Sequence, residues 1–104
     1  VTKAIAYIDE NYMKQPGLES ISKAAGVSSQ HLCRLFRQTL NCRPMEYITK
    51  RKIQAAKMLL AETQKTVDQI AEETGFCDSS YFCKIFKRFE SITPSQFRSI
   101  EQAL

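Results

Sequence analysis

The sequence predicts an all-α protein of seven helices, and three observations lead to this prediction. Apolar residues recur at steps of three and four along most of the 104 residues, which is the spacing of one face of an α-helix. Only 3 glycines and 3 prolines occur, too few for the many turns of a β-sandwich. Finally, Ser, Thr, Asp, Gly and Asn stand at the places where these helices would begin or end.

The first four helices are predicted within the first 62 residues. Ile5, Ile8 and Tyr12 mark the apolar face of the first helix. Ser28 is a suitable N-cap for the third, and Asn41 stands where a left-handed residue is needed to end it. The predicted ranges are 2–13, 18–25, 29–40 and 44–62. The inner face of the second helix is expected to carry Leu18, Ile21, Ala24 and Ala25, and that of the third Leu32, Leu35, Phe36 and Leu40. The inner face of the fourth helix is expected to carry Met45, Ile48, Ala55, Ala56, Leu59 and Leu60.

The last three helices follow from the same kinds of signal. Thr66 with Gln69 forms the capping-box pattern, and Thr93 with Gln96 repeats it. Asp78 can cap the helix between them. The predicted ranges are 67–74, 79–90 and a last helix that begins at Pro94. Their inner faces are expected to carry Phe82, Ile85, Phe86 and Phe89, followed by Phe97 and Ile100 in the last helix.

The two halves of the chain repeat one pattern. Ile21 and Gly26 recur 49 residues later, and the run from Leu32 to Arg37 recurs 50 residues later as the run from Phe82 to Lys87. Each copy contains a short helix, a turn with glycine and a longer helix, which is the helix-turn-helix arrangement. The one-residue slip falls in the turn. We therefore expect a first helix-turn-helix subdomain over 1–43, a linker helix over 44–62 and a second subdomain over 63–104.

The distribution of charge points to a polyanionic partner. The net charge is +4, and seven cations lie between residues 34 and 57 against Glu46 alone. Such a stretch is typical of nucleic-acid binding, although a solvated helix face would carry similar charges. Neither outward face of the two longer repeat helices contains a carboxylate, and Arg, Lys, Gln and Ser can all contact base edges in a major groove. These outward residues are Gln30, Cys33, Arg34 and Arg37 in the first copy and Ser80, Cys83, Lys84 and Lys87 in the second.

Metal and enzyme chemistry are not predicted. The four cysteines form no CxxC pair, and His31 is the single histidine, so the spacing of a zinc site is missing. No nucleophile stands with a base and an orienting acid, and no phosphate-binding loop occurs, so we predict neither an enzyme nor a cofactor. No apolar run is long enough to span a bilayer and no secretion signal is present, which favours a cytoplasmic protein with reduced thiols and no membrane partner.

The segment RKIQAAKMLLAETQKTVDQIAEETGFCDSSYFCKIFKRFESITPSQFR, residues 51–98, resembles the DNA-binding domain of the AraC/XylS family of bacterial transcription regulators. The shared features are an Arg, two alanines and a Leu-Leu pair, then Ile-Ala, Gly-Phe, Tyr-Phe, Phe-Lys, Thr-Pro and a final aromatic-Arg. The resemblance extends from about Ile5 to Arg98. It implies sequence-specific binding of double-stranded DNA by a monomeric seven-helix domain, whose two recognition helices enter successive major-groove segments.

The resemblance also implies roles for individual residues. Base reading is carried over by position to Gln30, Cys33 and Arg34 in the first unit and to Ser79, Ser80, Cys83 and Lys84 in the second. Candidate phosphate contacts are Ser29, Arg37, Arg43, Lys50, Arg51 and Lys87. Arg51 could instead brace the two units through an internal ion pair, and the two cysteines could simply pack closely against the groove.

Three further expectations complete the sequence reading. Family members usually carry Gly where this chain has Asn41 and Ser91, and a left-handed Ser91 would cost about 1 kcal/mol.

Activation is the more usual family role, which makes RNA polymerase an expected partner. A sensing or dimerising domain is expected upstream of Val1 in the full-length protein. The alternative function is a helical interaction module that binds a partner other than DNA through the same basic surface.

Overall fold

The computed structural model describes residues 2–103, and every element in that part of the chain is helical. The all-α prediction and the count of seven α-helices are confirmed. The first helix ends earlier than predicted because a 3₁₀ turn, Tyr12–Lys14, follows it and closes on a left-handed Gln15. The helices are α1 Thr2–Asn11, α2 Leu18–Ala25, α3 Ser29–Leu40, α4 Pro44–Glu62, α5 Val67–Glu73, α6 Ser79–Glu90 and α7 Pro94–Ala103.

The chain forms two compact units that divide after Arg51. The boundary lies inside α4, so the first turns of this helix belong to the first unit and its later turns to the second. Over residues 2–103, none of the helices has both the length and the apolar character that crossing a bilayer requires.

The core of the first unit lies between α1, α2, α3 and the start of α4. Phe36 is fully buried, and its ring meets the edge of the Tyr47 ring at 5.8 Å between centroids, with an interplanar angle of 72°. Edge-to-face packing of this kind favours one fixed arrangement of the two helices. The buried residues of this core are Ala4, Ile8, Ile21, Leu32, Phe36 and Ile48.

The second unit repeats this core with residues from the later turns of α4. Phe86 meets Phe97 at 5.6 Å and 73°, so the aromatic pair of the first unit recurs 50 residues later with the same geometry. The repeat found in the sequence is therefore a repeat of packing. The buried residues are Ile53, Ala56, Leu60, Ile70, Ala71, Phe76, Phe82, Ile85 and Phe86.

Four residues predicted on inner faces are exposed, namely Ala24, Met45, Phe89 and Ile100. Met45, in the first turn of α4, is 47% exposed, and Phe89, in the last turn of α6, is 39% exposed. Apolar spacing defines an arc of a helix, but only the part of the arc that faces a neighbouring helix is buried. Ile53, which the sequence reading did not place inside, is buried because it begins the face that α4 presents to the second core.

Side-chain caps begin the helices where the sequence predicts them. Thr66 Oγ1 accepts a hydrogen bond from the Gln69 backbone at 3.1 Å while Gln69 Oε1 accepts one from the Thr66 backbone at 2.9 Å. Thr93 and Gln96 form the same reciprocal pair at 3.1 and 2.9 Å before α7. Each box satisfies backbone N–H groups that have no partner within the helix.

The C-terminal end of α4 is closed by side chains from α7. Arg98 donates from Nε to the Leu60 carbonyl and from Nη2 to the Thr63 carbonyl, both at 3.2 Å. Gln102 Nε2 donates to the same two carbonyls at 3.0 Å. A guanidinium at a helix C-terminus also interacts favourably with the helix dipole. This contact gives the aromatic-Arg motif near the end of the sequence a structural purpose.

Helices α3 and α6 both end on a non-glycine residue in the left-handed conformation. Asn41 has φ 55°, Ser91 has φ 71°, and the backbone N–H of each closes the last turn of its helix. Asn tolerates this conformation because its short amide can hydrogen-bond locally, whereas Ser lacks that advantage. The conformation expected at Ser91 is therefore present.

We predict that Ser91→Gly raises the free energy of unfolding by about 1 kcal/mol, because glycine adopts positive φ without a steric penalty. Urea denaturation followed by circular dichroism measures the change. Asn41→Gly is the matched control and should change the free energy of unfolding by less. A Ser91→Gly protein that is equally stable or less stable than the parent would contradict the prediction.

Candidate nucleic-acid interface

The first helix-turn-helix is set by backbone hydrogen bonds around one glycine. Gly26 has φ 73°, and its N–H donates to the Lys23 carbonyl at 3.1 Å while Val27 N–H donates to the Ser22 carbonyl at 3.1 Å. These paired bonds end α2 with a Schellman motif. Ser28 Oγ then accepts the His31 N–H at 3.1 Å and starts α3. The direction of α3 is thus fixed within three residues.

Ser29, a predicted phosphate contact, lies at the junction of α2 and α3. Its hydroxyl is 3.3 Å from the hydroxyl of Ser22, which is itself buried and donates to the Glu19 carbonyl at 3.0 Å. Ser29 is half-buried as a result. This polar link joins α2 to α3, and the phosphate role of Ser29 remains a prediction.

Helix α3 presents the predicted residues on one exposed face. Gln30, Arg34 and Arg37 are exposed, whereas Leu32 and Phe36 of the same helix are fully buried. Cys33 is half-buried at the edge of this face. Among the described residues, no carboxylate lies within ion-pair distance of either arginine. The guanidinium groups are therefore available to a ligand.

The second helix-turn-helix uses the same devices with one additional residue in the turn. Gly75 has φ 86°, and its N–H donates to the Glu72 carbonyl at 3.1 Å. Phe76 N–H donates to the Ala71 carbonyl at 2.9 Å, which completes the Schellman motif, and Asp78 Oδ1 accepts the Tyr81 N–H at 2.7 Å to begin α6. The slip in the sequence repeat falls in this turn, as expected from the spacing.

Helix α6 brings most, but not all, of its predicted residues to the surface. Ser80, Lys84 and Lys87 are exposed, and Ser79 is half-buried at the start of the helix. Cys83 departs from the expected outward position because its side chain packs against the core of the second unit. Burial raises the pKa of the Cys83 thiol, and the nearby Asp68 carboxylate raises it further. Cys83 thus contacts the protein core, which differs both from a base contact and from packing against the groove.

Two exposed residues of α6 were not singled out by the sequence reading. Tyr81 is 49% exposed and its ring lies 6.2 Å from that of Phe76. Arg88 is exposed in the last turn of the helix. Both positions lie outside the apolar set Phe82, Ile85, Phe86 and Phe89, and this signal in the sequence could have placed them on the surface.

Three of the seven clustered cations are engaged within their own unit. Arg51 Nε pairs with Asp9 at 3.1 Å, and its guanidinium lies 4.8 Å from the centre of the Tyr12 ring. Because these residues all belong to the first unit, the ion pair is internal to it and is not a brace between units. It competes with the predicted phosphate contact of Arg51.

The other two engaged cations belong to the second unit. Lys57 pairs with Glu90 at 3.1 Å, and Lys52 donates to the Gly75 carbonyl at 2.9 Å. Arg43 and Lys50, by contrast, are exposed and are free of ion pairs in the described part of the chain. The outward charge of the cluster is thus carried by Arg34, Arg37, Arg43 and Lys50.

Comparison with known proteins connects this geometry to a family. A family model described as "Helix-turn-helix domain" matches residues 21–100. The lactose operon transcription activator of Staphylococcus xylosus is 31% identical over 98 residues, which cover 94% of this chain and 35% of that protein. The bifunctional transcriptional activator/DNA repair enzyme AdaA of Bacillus subtilis is 32% identical over 96 residues, covering 92% of this chain and 46% of AdaA. The chain therefore spans less than half the length of these relatives.

Solved structures share the fold closely. The crystal structure of a transcriptional regulator of the AraC-type DNA-binding domain-containing proteins from Chromobacterium violaceum has a TM-score of 0.92 and 29% identity, covering 96% of this chain and 89% of that one. The C-terminal domain of the two-component response regulator yesN from Fusobacterium nucleatum has a TM-score of 0.84 and 32% identity, covering 91% and 93%. The chain belongs to the AraC-type helix-turn-helix family of transcriptional regulators.

Proposed function

We propose that this chain is the part of a bacterial transcription regulator that binds double-stranded DNA in a sequence-specific manner. One observation carries the proposal: two helices of the same kind, each starting from a closed glycine turn, present exposed cations with no carboxylate among them. A helix of this diameter fits the major groove of B-DNA, and the cations suit its negative potential. The two helices would occupy successive segments of the groove.

We divide the predicted site residues into base readers and phosphate contacts. Arg34 is the strongest candidate for a base contact because a guanidinium can pair with guanine through two parallel hydrogen bonds. Lys84 serves as a base reader or as a phosphate partner, since an ammonium acts as a point charge. The further base readers are Gln30, Cys33, Ser79, Ser80 and Cys83, and the phosphate contacts are Ser29, Arg37, Arg43, Lys50, Arg51 and Lys87.

For the whole protein, we propose activation of transcription in the bacterial cytoplasm, with RNA polymerase as a second partner. Two relatives are named transcription activators, which supports this direction of control. Those relatives are more than twice as long as the matched region, so we propose that a sensing or dimerising domain precedes this chain. Within the chain, the subdomains 1–43 and 63–104 would each read one DNA segment, with helix 44–62 joining them.

We assign no enzymatic activity to this chain. The relative AdaA is named a DNA repair enzyme as well as an activator, but the match covers only 46% of it. The exposed polar residues of α3 and α6 are suited to hydrogen bonding and charge neutralisation, and the recognition role accounts for them.

We predict that binding to duplexes selected from a random DNA pool weakens steeply as salt rises. Neutralising about five phosphates gives a slope of about −4.5 in a plot of log affinity against log salt concentration. Fluorescence anisotropy over a series of potassium chloride concentrations measures it. A helical interaction module that binds another kind of partner would enrich no duplex sequence, and that result, or a slope near zero, would rule out the proposal.

We predict that Arg34→Ala leaves the fold intact, because the side chain is exposed, and reduces discrimination at one base pair by about 1–3 kcal/mol. The measurement is competition binding with duplexes in which each base pair of the selected site is changed in turn. Arg37→Ala is the matched control from the same helix, and it should weaken binding to all duplexes alike and reduce the salt slope by about 1. If Arg34→Ala weakens target and scrambled duplexes equally, Arg34 is a phosphate contact instead.

A further inference from the structure

We propose that Lys52 is a positioning residue for DNA recognition: from α4 it holds the turn of the second helix-turn-helix and thereby fixes the direction of α6. The inference rests on the proposed function only in that α6 is taken to read DNA. The residues that carry it all belong to the second unit, and the structure describes each of them.

The contact joins residues 23 positions apart in the sequence. Lys52 Nζ donates to the Gly75 carbonyl at 2.9 Å, and the same ammonium lies 5.3 Å from the centre of the Phe76 ring. Lys52 is half-buried, and desolvation lowers the pKa of its ammonium. The ammonium therefore makes two contacts at once, one with the aromatic ring and one with the carbonyl oxygen. Together they hold it in one position and keep it from moving out into solvent.

The Gly75 carbonyl requires such a donor. Gly75 is buried and left-handed at φ 86°, so its carbonyl points away from the hydrogen-bond ladder of α5. Over residues 2–103, the backbone supplies no N–H to this oxygen. A buried carbonyl without a partner is strongly unfavourable, and Lys52 provides the partner.

The turn transmits this constraint to the start of α6. Phe76 is 7% exposed, and its ring lies 5.0 Å from that of Phe82 in the first turns of α6. Ser79 and Ser80, two of the proposed base readers, follow Gly75 within five residues. Without the hydrogen bond from Lys52, the turn would move, and these two serines would no longer be held in the positions that base contacts require.

The first unit provides an internal comparison. Its turn glycine, Gly26, is exposed, and no side chain of the described residues donates to its carbonyl. Water can satisfy this oxygen. Loss of Lys52 should therefore affect reading by α6 and leave reading by α3 unchanged.

The test compares Lys52→Met with Lys57→Met in the complete chain. Lys52→Met removes the ammonium and keeps the apolar stem. Lys57→Met is the matched control, since it removes the same charge from the same helix. Lys57 contacts the Phe97 ring and Glu90, which is the last residue of α6 and lies at the opposite end of that helix from the turn. Lys52→Arg restores a donor and should restore the parent behaviour. Lys52→Leu, which also lacks a donor, replaces Lys52→Met if the latter does not fold.

The first readout is discrimination between base pairs of the selected duplex. Arg34→Ala identifies the base pairs read by α3, and Ser80→Ala together with Lys84→Ala identifies those read by α6. Lys52→Met should reduce discrimination at the α6 segment at least tenfold while changing that at the α3 segment less than twofold, and Lys57→Met should change neither. Equal losses at both segments, or the same losses in Lys57→Met, would show a charge or stability effect and overturn the proposal.

The second readout needs no DNA and so separates this inference from the proposed function. The N–H groups of Gly75, Phe76 and Tyr81 are the hydrogen-bonded amides of this turn. Their hydrogen exchange in the free protein should accelerate at least tenfold in Lys52→Met, while amides of the buried α6 core keep their parent rates. If no duplex is ever selected, the proposed function fails, and this exchange still decides whether Lys52 holds the turn. Unchanged exchange at these three amides would overturn the proposal.

Discussion

The backbone turn that joins the two helices of each helix-turn-helix is the constraint on which recognition depends. A left-handed glycine ends the first helix, and two residues later in the first unit, or three in the second, a capping side chain begins the next. The turn determines the direction of the recognition helix. Its rotation about its own axis is determined by an aromatic pair in which a buried Phe of the helix meets a partly buried ring, Phe36 with Tyr47 or Phe86 with Phe97. Exposure of Arg34 and Lys84 follows from these two conditions.

The sequence was sufficient to predict the helices, their caps and the repeat, because these features depend on local chemistry. Thr66 and Gln69 form a capping box whatever else surrounds them, and Gly26 and Gly75 can take up positive φ wherever they occur. The depth at which each apolar residue is buried was less predictable. Phe89 was wrongly expected to be buried, and Ile53 was not expected among the core residues. The exposure of both depends on where neighbouring helices begin and end, which periodicity does not encode.

The candidate site shows the same division between local and tertiary information. Gln30, Arg34 and Lys84 were placed correctly on the outward surface because they lie opposite the apolar faces of their helices. Charge counting could not separate Arg43 and Lys50, which are exposed, from Arg51, Lys52 and Lys57, which contact a carboxylate or a carbonyl. Their partners are 23 to 42 residues away in the chain. A cation near a proposed DNA surface therefore has two possible roles, and tertiary contacts determine which one it fulfils.

Each unit also contains a side-chain hydrogen bond that joins residues far apart in the sequence, and the sequence separation is the same in both units. Asp9 with Arg51 and Leu60 with Gln102 both join residues 42 positions apart, one pair in each unit. Neither hydrogen bond involves the outward face of α3 or α6. During evolution, the few side chains that contact bases in one unit could accordingly change while the core of that unit and the whole of the other unit stay the same. New operator preferences would then arise one half at a time, through single substitutions that the fold does not oppose.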